Sequence, residues 1–347
     1  MKKNKILIKG GTLISDKYNG EKLDLLIEDD KILAIGNKLS NNDCSKIIDA
    51  EGLYVSPGFV NIHAHDDFYL DEDDQEFLKS ICFQGVTTSV SGNCGISNYP
   101  IKPERQQEID SYQGFLHYTQ NHLSCPSLKE FERRAKNKMV LNMIPLVGHG
   151  TLRVNANGFE KEITEAAMAE MKKQFTLFLE EGGFGLSSGL MYMPGTFSKT
   201  SELIDLLNCI ENKEHLFYAS HLRGYSDTFL DSVKESILIA KETGVTVECS
   251  HLGPFGTQYK AQVRIALDLI ETANKEGLNV GFDTLGYCGG STTIMAIVPP
   301  WYYQQGIQTF LTQLHNDSFL KEVVETMENY RPTWPSWEGK GWTDNFV

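Results

Sequence analysis

Two histidines one residue apart, His63 and His65, lie in the stretch PGFVNIHAHDDF at residues 57–68. In extended backbone, residues i and i+2 project to the same side, so a strand running through this stretch presents both imidazoles together. Such a pair is half of a metal site, and the other ligands must arrive from elsewhere. Cys94 in SGNCG, His221 in YASHLRG and His251 in VECSHLG each stand where a β-like run stops. Imidazole and thiolate suit Zn²⁺, which is tetrahedral and redox-silent. Taken singly, a strand-end histidine is commonly a hydrogen-bonded structural residue and a cysteine a small buried hydrophobe. Only a fold that gathers all five gives them a common chemistry.

The elements that must do so are legible from periodicity. β-like runs occur at 59–63, 85–91, 140–147, 184–187, 216–221, 246–251 and 279–284, separated by amphipathic helical stretches. The clearest helix, ITEAAMAEMKKQFTLFLEEGG, sets Ala167, Met171, Phe175 and Phe178 on one face and stops at glycine. Repeated strand–helix alternation predicts a parallel sheet with crossover helices, and a (β/α)8-type barrel fits best. In such barrels the chemistry gathers at the C-terminal strand ends, where the four imidazoles and the thiol fall. Residues 1–56 read as short strands of a small N-terminal β-domain, including a strand pair around Asp29–Asp30. Residues 57–290 hold seven barrel strands. Residues 291–347 read as helical and aromatic, then rich in Trp and Pro, with no eighth strand before Val347.

The composition excludes several classes. The formal charge is −14 over 347 residues, a field that repels nucleic acid and anionic membranes. No apolar run reaches membrane-spanning length. The start, MKKNKILIKGG, lacks the apolar core of a secretory signal, which points to a cytoplasmic protein. Seven cysteines without a CxxC pair point to reduced thiols, and those such as Cys82 and Cys249 to core or surface fill.

Other polar residues near the strand ends have two readings. Arg153 in GHGTLR and Arg223 in HLRG have the geometry to grip a carboxylate bidentately, or to anchor loops by ion pairs. Tyr192 in GLMYMPG is either a hydrogen-bond donor to substrate or a rim aromatic. Asp66 and Asp67 stand where a general base would be useful, but HDDFYLDEDDQEF reads better as a solvated loop with acids at a helix start. His117, His122, His215 and His315 fall on helical or loop stretches away from the strand ends and receive no role.

The stretches SPGFVNIHAHDD, SGNCGIS, LVGHGTLR, GLSSGLMYMPG, YASHLRG and SHLGPFG, in this order, resemble the N-acyl-D-amino-acid deacylases (D-aminoacylases) of the amidohydrolase superfamily. The resemblance implies zinc-dependent hydrolysis of N-acyl-D-amino acids, small-molecule substrates. By that resemblance Cys94, His221 and His251 hold the tight zinc, and His63 and His65 form a second, weaker site. Ser291 and Tyr287 match residues of the family's substrate-carboxylate pocket, but Leu285 stands where a tyrosine is expected. The family's general base is a strand-8 aspartate, expected here beyond Val347. That makes a catalytically inactive fragment or metal-binding pseudoenzyme the first alternative. A cyclic-amide hydrolase of the hydantoinase or dihydroorotase kind is the second. The run GLSSG, without a lysine to bridge two metals, counts against it.

Overall fold

Each strand–helix–strand crossover sets a new strand beside the last, and seven strands follow one another across a single sheet in chain order. The computed structural model describes residues 4–69, 76–116, 124–286 and 289–329. The chain divides into two compact units, Met1–Phe59 and Val60–Val347.

The first unit is built on strands β1 (Lys5–Ile14), β2 (Asn19–Glu28), β3 (Lys31–Gly36), β4 (Lys46–Asp49) and β5 (Tyr54–Val55). Its order is β3-β2-β1-β4, with β5 also pairing β1. The β2–β3 hairpin turns at Asp29–Asp30, where Asp29 takes the left-handed backbone that short polar side chains tolerate, φ +56°. Asp24 is buried and accepts the backbone N–H groups of Gly10 and Leu39, at 2.8 and 2.9 Å. Those bonds satisfy a carboxylate that would otherwise be costly to bury.

The second unit contains β6 (Phe59–Asn61, beginning at the boundary residue), β7 (Val86–Ser91), β8 (Asn142–Gly148), β9 (Gly185–Gly189), β10 (Phe217–His221), β11 (Thr246–Cys249) and β12 (Val280–Phe282). They curl into a parallel half-barrel. The helix Glu165–Glu180 follows its sequence pattern. Thr164 caps it by accepting from the Ala167 N–H at 3.1 Å, and Ala167, Met171, Phe175 and Phe178 are buried. β9 is buried along its whole length, and a Cβ at Gly185 would lie 1.9 Å from the Phe217 carbonyl oxygen. Small residues are therefore imposed on GLSSG by the approach of the neighbouring strand.

Several strands end earlier than their sequence suggests. β6 stops at Asn61 and β11 at Cys249, so His63 and His251 sit on the loops beyond them. Among the described residues β6 and β12 are the two ends of the sheet and do not pair with each other. Their Phe59, Val60 and Phe282 are exposed. After β12 the described chain is helical, with the helices Ile307–Gln313 and Asp317–Asn329 gathering Met193, Val298, Tyr303, Phe310 and Val323 into a small core. The Trp- and Pro-rich end lies outside the described residues. No helix among the described residues is long and apolar enough to cross a membrane.

Candidate metal centre

Five side chains converge at the C-terminal edge of the half-barrel. Ligand atoms of Cys94, His221 and His251 lie within 4.8 Å of one another, as do those of His63, His65 and Cys94. Cys94 is thus common to two three-ligand sets. Its sulfur is 3.3 Å from His63 Nε2 and 3.9 Å from His251 Nε2. The rings of His221 and His251 meet edge to face at 4.5 Å, and those of His63 and His65 at 5.7 Å.

The pairing of His63 with His65 does not come from a strand pleat. β6 has already ended, and Asn61 Oδ1 accepts the His63 N–H at 3.3 Å. The loop is then tied to β7 by the Ala64 N–H, which donates to the Val90 carbonyl at 3.0 Å. Asn93 reinforces the tie through its amide, which reaches the carbonyls of Val90 and Ala64. The two imidazoles therefore converge because the loop is fastened to its neighbour.

Cys94 is presented by a loop in unusual backbone. Gly92, Cys94 and Gly95 have φ of +84°, +56° and +76°. Gly95 packs directly on β9, where a Cβ would lie 2.6 Å from the Gly189 nitrogen. Ser187 holds the loop from both ends, accepting from the Gly95 N–H at 3.0 Å and donating to the Gly92 carbonyl. Tyr112 adds a hydroxyl bond to the Gly95 carbonyl at 2.9 Å. His251 is likewise in left-handed backbone, φ +38°, with its N–H held by Asp283 Oδ1 at 2.6 Å. Two candidate ligands in sparsely populated backbone mark a site that the surroundings over-determine. Tyr225 joins the two histidine loops, accepting from the Leu222 N–H at 2.8 Å and donating to the Ser250 carbonyl at 3.2 Å. Sequence reading missed Ser187, Tyr112, Tyr225 and Asp283, because each has at least one partner distant in the chain. Strand-end positions in GLSSG and DTLGY were the only signal.

The electrostatics of three of the four imidazoles match the donor chemistry. Burial, with the neighbouring imidazoles, holds His221 and His251 well below the usual range, so both are neutral lone-pair donors. Burial and the charge of His63 push His65 down to about 3. His63 is the opposite case. Burial disfavours its charge, but Cys94 and Asp283 outweigh it and raise the imidazole to about 10. Nδ1 atoms of His65 and His221 are buried without a protein hydrogen bond. A crowd of buried donors so poorly satisfied by protein suits a cation. One thiolate and two neutral imidazoles form a sound zinc set with an open fourth position.

The remaining expected site residues divide. Tyr192 is brought in: its ring lies 4.6 Å from that of His221, and its hydroxyl pairs with Thr292 Oγ1 at 2.8 Å. Burial first, then Cys94, raises its phenol above the usual value, so it remains protonated. Ser291 is exposed, next to Thr292. Tyr287 lies outside the described residues, as do His117 and His122, while His215 and His315 are exposed.

Both arginines are bonded to protein groups. Arg153 is completely buried and donates to Glu202, 3.0 Å, and to the carbonyls of Glu160 and Lys161, both 2.8 Å. Arg223 forks onto Glu235 at 2.8 and 2.9 Å and reaches the Ser198 carbonyl at 2.9 Å. Their guanidinium groups are already engaged within the protein, which favours the loop-anchoring reading for both. The solvated-loop reading of Asp66 and Asp67 is corrected. Both are buried in a 3-10 turn, Asp66–Tyr69. Asp66 accepts from Ser89 Oγ, and Asp67 from the Asn98 amide at 3.3 Å. Burial, with the charge of Asp66, raises Asp67 to about 7.

No protein-family model matches the chain. It is 33% identical over 277 residues to an N-acyl-D-aspartate deacylase of Alcaligenes xylosoxydans xylosoxydans, covering 77% of this chain and 53% of that protein. A D-aminoacylase of the same organism is 31% identical over 300 residues, 83% of this chain and 58% of the relative. The crystal structure of an N-acyl-D-glutamate deacylase from Bordetella bronchiseptica, complexed with zinc and a phosphonate inhibitor, matches with a TM-score of 0.75. That match is at 28% identity and covers 83% of this chain and 59% of that one. The chain thus spans between half and two thirds of the length of these relatives. Over most of its own length the chain is similar in sequence and fold to N-acyl-D-amino-acid deacylases (D-aminoacylases) of the amidohydrolase type.

Proposed function

We propose that this chain carries the zinc-binding part of a deacylase that hydrolyses the amide bond of N-acyl-D-amino acids to a carboxylate and a D-amino acid. The observation that carries the reading is the position of Cys94 as the common member of two ligand sets. In this proposal Cys94, His221 and His251 hold the tight zinc, and His63 and His65 form the weaker site with Cys94. A zinc ion held by these residues would supply an activated water and polarise the amide carbonyl.

The protein's own groups prepare the site. Neutral His221 and His251 offer lone pairs without first losing a proton. Tyr192, protonated and beside His221, is the proposed donor to a substrate oxygen, in exchange for its bond to Thr292. Ser291 and Tyr287 are proposed to hold the substrate carboxylate, with Leu285 contributing no hydroxyl. Asp66, Asp67 and Asp283 are already engaged with Ser89, Asn98 and the His251 N–H, so none is assigned as the base. A hydantoinase- or dihydroorotase-like reaction has less support, because β9 ends in Ser-Ser-Gly rather than a bridging lysine. A cytoplasmic location belongs to the same proposal.

The test is metal analysis joined to hydrolysis. About one tightly held zinc per chain is expected, lost in Cys94→Ala. Full zinc occupancy in that variant would sink the assignment. For the whole protein, zinc-dependent turnover of N-acetyl-D-amino acids, abolished by His221→Ala, is the expected activity. Preference for a cyclic amide would favour the rival reading.

A further inference from the structure

We infer that Asp283 is a positioning residue that clasps His63 and His251 through its two carboxylate oxygens and sets the geometry of both ligand sets. The inference rests on the metal-centre reading above and adds a residue to which that reading gives no role.

Asp283 directly follows β12, and His63 stands just beyond β6. These strands are at opposite ends of the sheet, with no backbone pairing between them among the described residues. The Asp283 carboxylate nevertheless approaches His63. Its Oδ2 lies 3.6 Å from His63 Nδ1, and both atoms are buried with no hydrogen-bond partner. Each is the complement that the other lacks. The contact engages Nδ1 of His63 and leaves Nε2 facing the Cys94 sulfur at 3.3 Å. A carboxylate on one ring nitrogen fixes which nitrogen is free to ligate and how the ring is turned.

The same residue holds the turn after β11. The Asp283 N–H donates to the Cys249 carbonyl at 3.3 Å, and its carbonyl accepts from the Leu252 N–H at 2.7 Å. Its Oδ1 accepts from the His251 N–H at 2.6 Å. Three bonds from one residue therefore bracket His251, whose φ of +38° is unfavourable for a non-glycine residue. One carboxylate thus serves His251 through one oxygen and His63 through the other.

Two substitutions separate these duties. In Asp283→Asn the side-chain oxygen can still accept from the His251 N–H, but no negative charge faces His63. In Asp283→Ala both duties are lost. Zn²⁺ titration of the metal-free full chain against a competing chelator should show the weaker site lowered roughly 10–100-fold in Asp283→Asn. The tight site should stay within about threefold, and should fall as well in Asp283→Ala. The second readout needs no metal. In protein labelled with ¹⁵N-histidine, the His63 Nδ1–H should give a slowly exchanging proton signal, absent from Asp283→Asn and assigned with His63→Ala. A wild type without that signal, or an Asp283→Asn variant that keeps it, overturns the clasp. So does unchanged affinity at the weaker site in Asp283→Asn. Failure of wild type to bind Zn²⁺ at all would instead remove the metal-centre reading, and the clasp would then be decided by the proton signal.

Discussion

Glu202→Gln tests whether the Arg153 motif is an anchor or a substrate grip. Glu202 is nearly buried at the third residue of the helix Thr200–Leu207, and its Oε1 accepts from Arg153 Nε at 3.0 Å. The same oxygen lies 2.9 Å from His149 Nε2 and 3.1 Å from the Ser198 hydroxyl. Burial raises the carboxyl, but His149 and then Arg153 outweigh it and bring it from the ordinary 4.5 down to about 2. That gap is worth about 3 kcal/mol, at roughly 1.4 kcal/mol per pH unit. The sign follows from linkage. A depressed carboxyl stabilises the fold fully above its unfolded value of 4.5, and the contribution drains away as pH falls toward 2. Wild type should therefore exceed Glu202→Gln in urea-melting stability by about 3 kcal/mol at pH 7. The difference should shrink steadily below pH 4.5. A difference that stays flat from pH 7 to pH 3 would refute the reasoning. Substrate KM changed without any loss of stability would return Arg153 to the substrate site.

Gly95→Ala should cost about 1–2 kcal/mol for left-handed backbone, and more for the Cβ placed 2.6 Å from the Gly189 nitrogen. Gly244→Ala, at φ +73° with open space around it, bears the backbone cost alone. Equal melting temperatures for the two variants would show that the Cys94 loop can yield. Tyr225→Phe removes the hydroxyl that joins the His221 and His251 loops, with an expected loss of about 1–3 kcal/mol in thermal or urea stability. Unchanged stability would mean that water replaces both bonds.

How much of this was legible in the chain depends on the range of the interaction. The helix Glu165–Glu180 was readable from its buried face and glycine stop, because a 3.6-residue apolar period and a helix-ending glycine are local properties. The order of the parallel strands followed from alternation, since each crossover places a strand beside the one before it. The ligand types were readable too, as histidines and a cysteine at predicted strand ends. The reason for their convergence was not. His63 and His65 meet through a loop tied to Val90 and Asn93, not through a pleat. Arg153 and Arg223 read equally as substrate grips or loop anchors, and only the fold brings in their partners Glu202 and Glu235, 49 and 12 residues away. Asp66 and Asp67 carry the composition of a solvated loop, yet the fold buries them against Ser89 and Asn98. In the same way, Asp283 is an ordinary loop aspartate until the curled sheet brings β12 round to His63. The chain itself determined which chemistry was available and which elements would form, because residue type and short-range period are written in it. Only the tertiary structure decided which charged groups face one another, because that depends on distances between residues far apart in sequence.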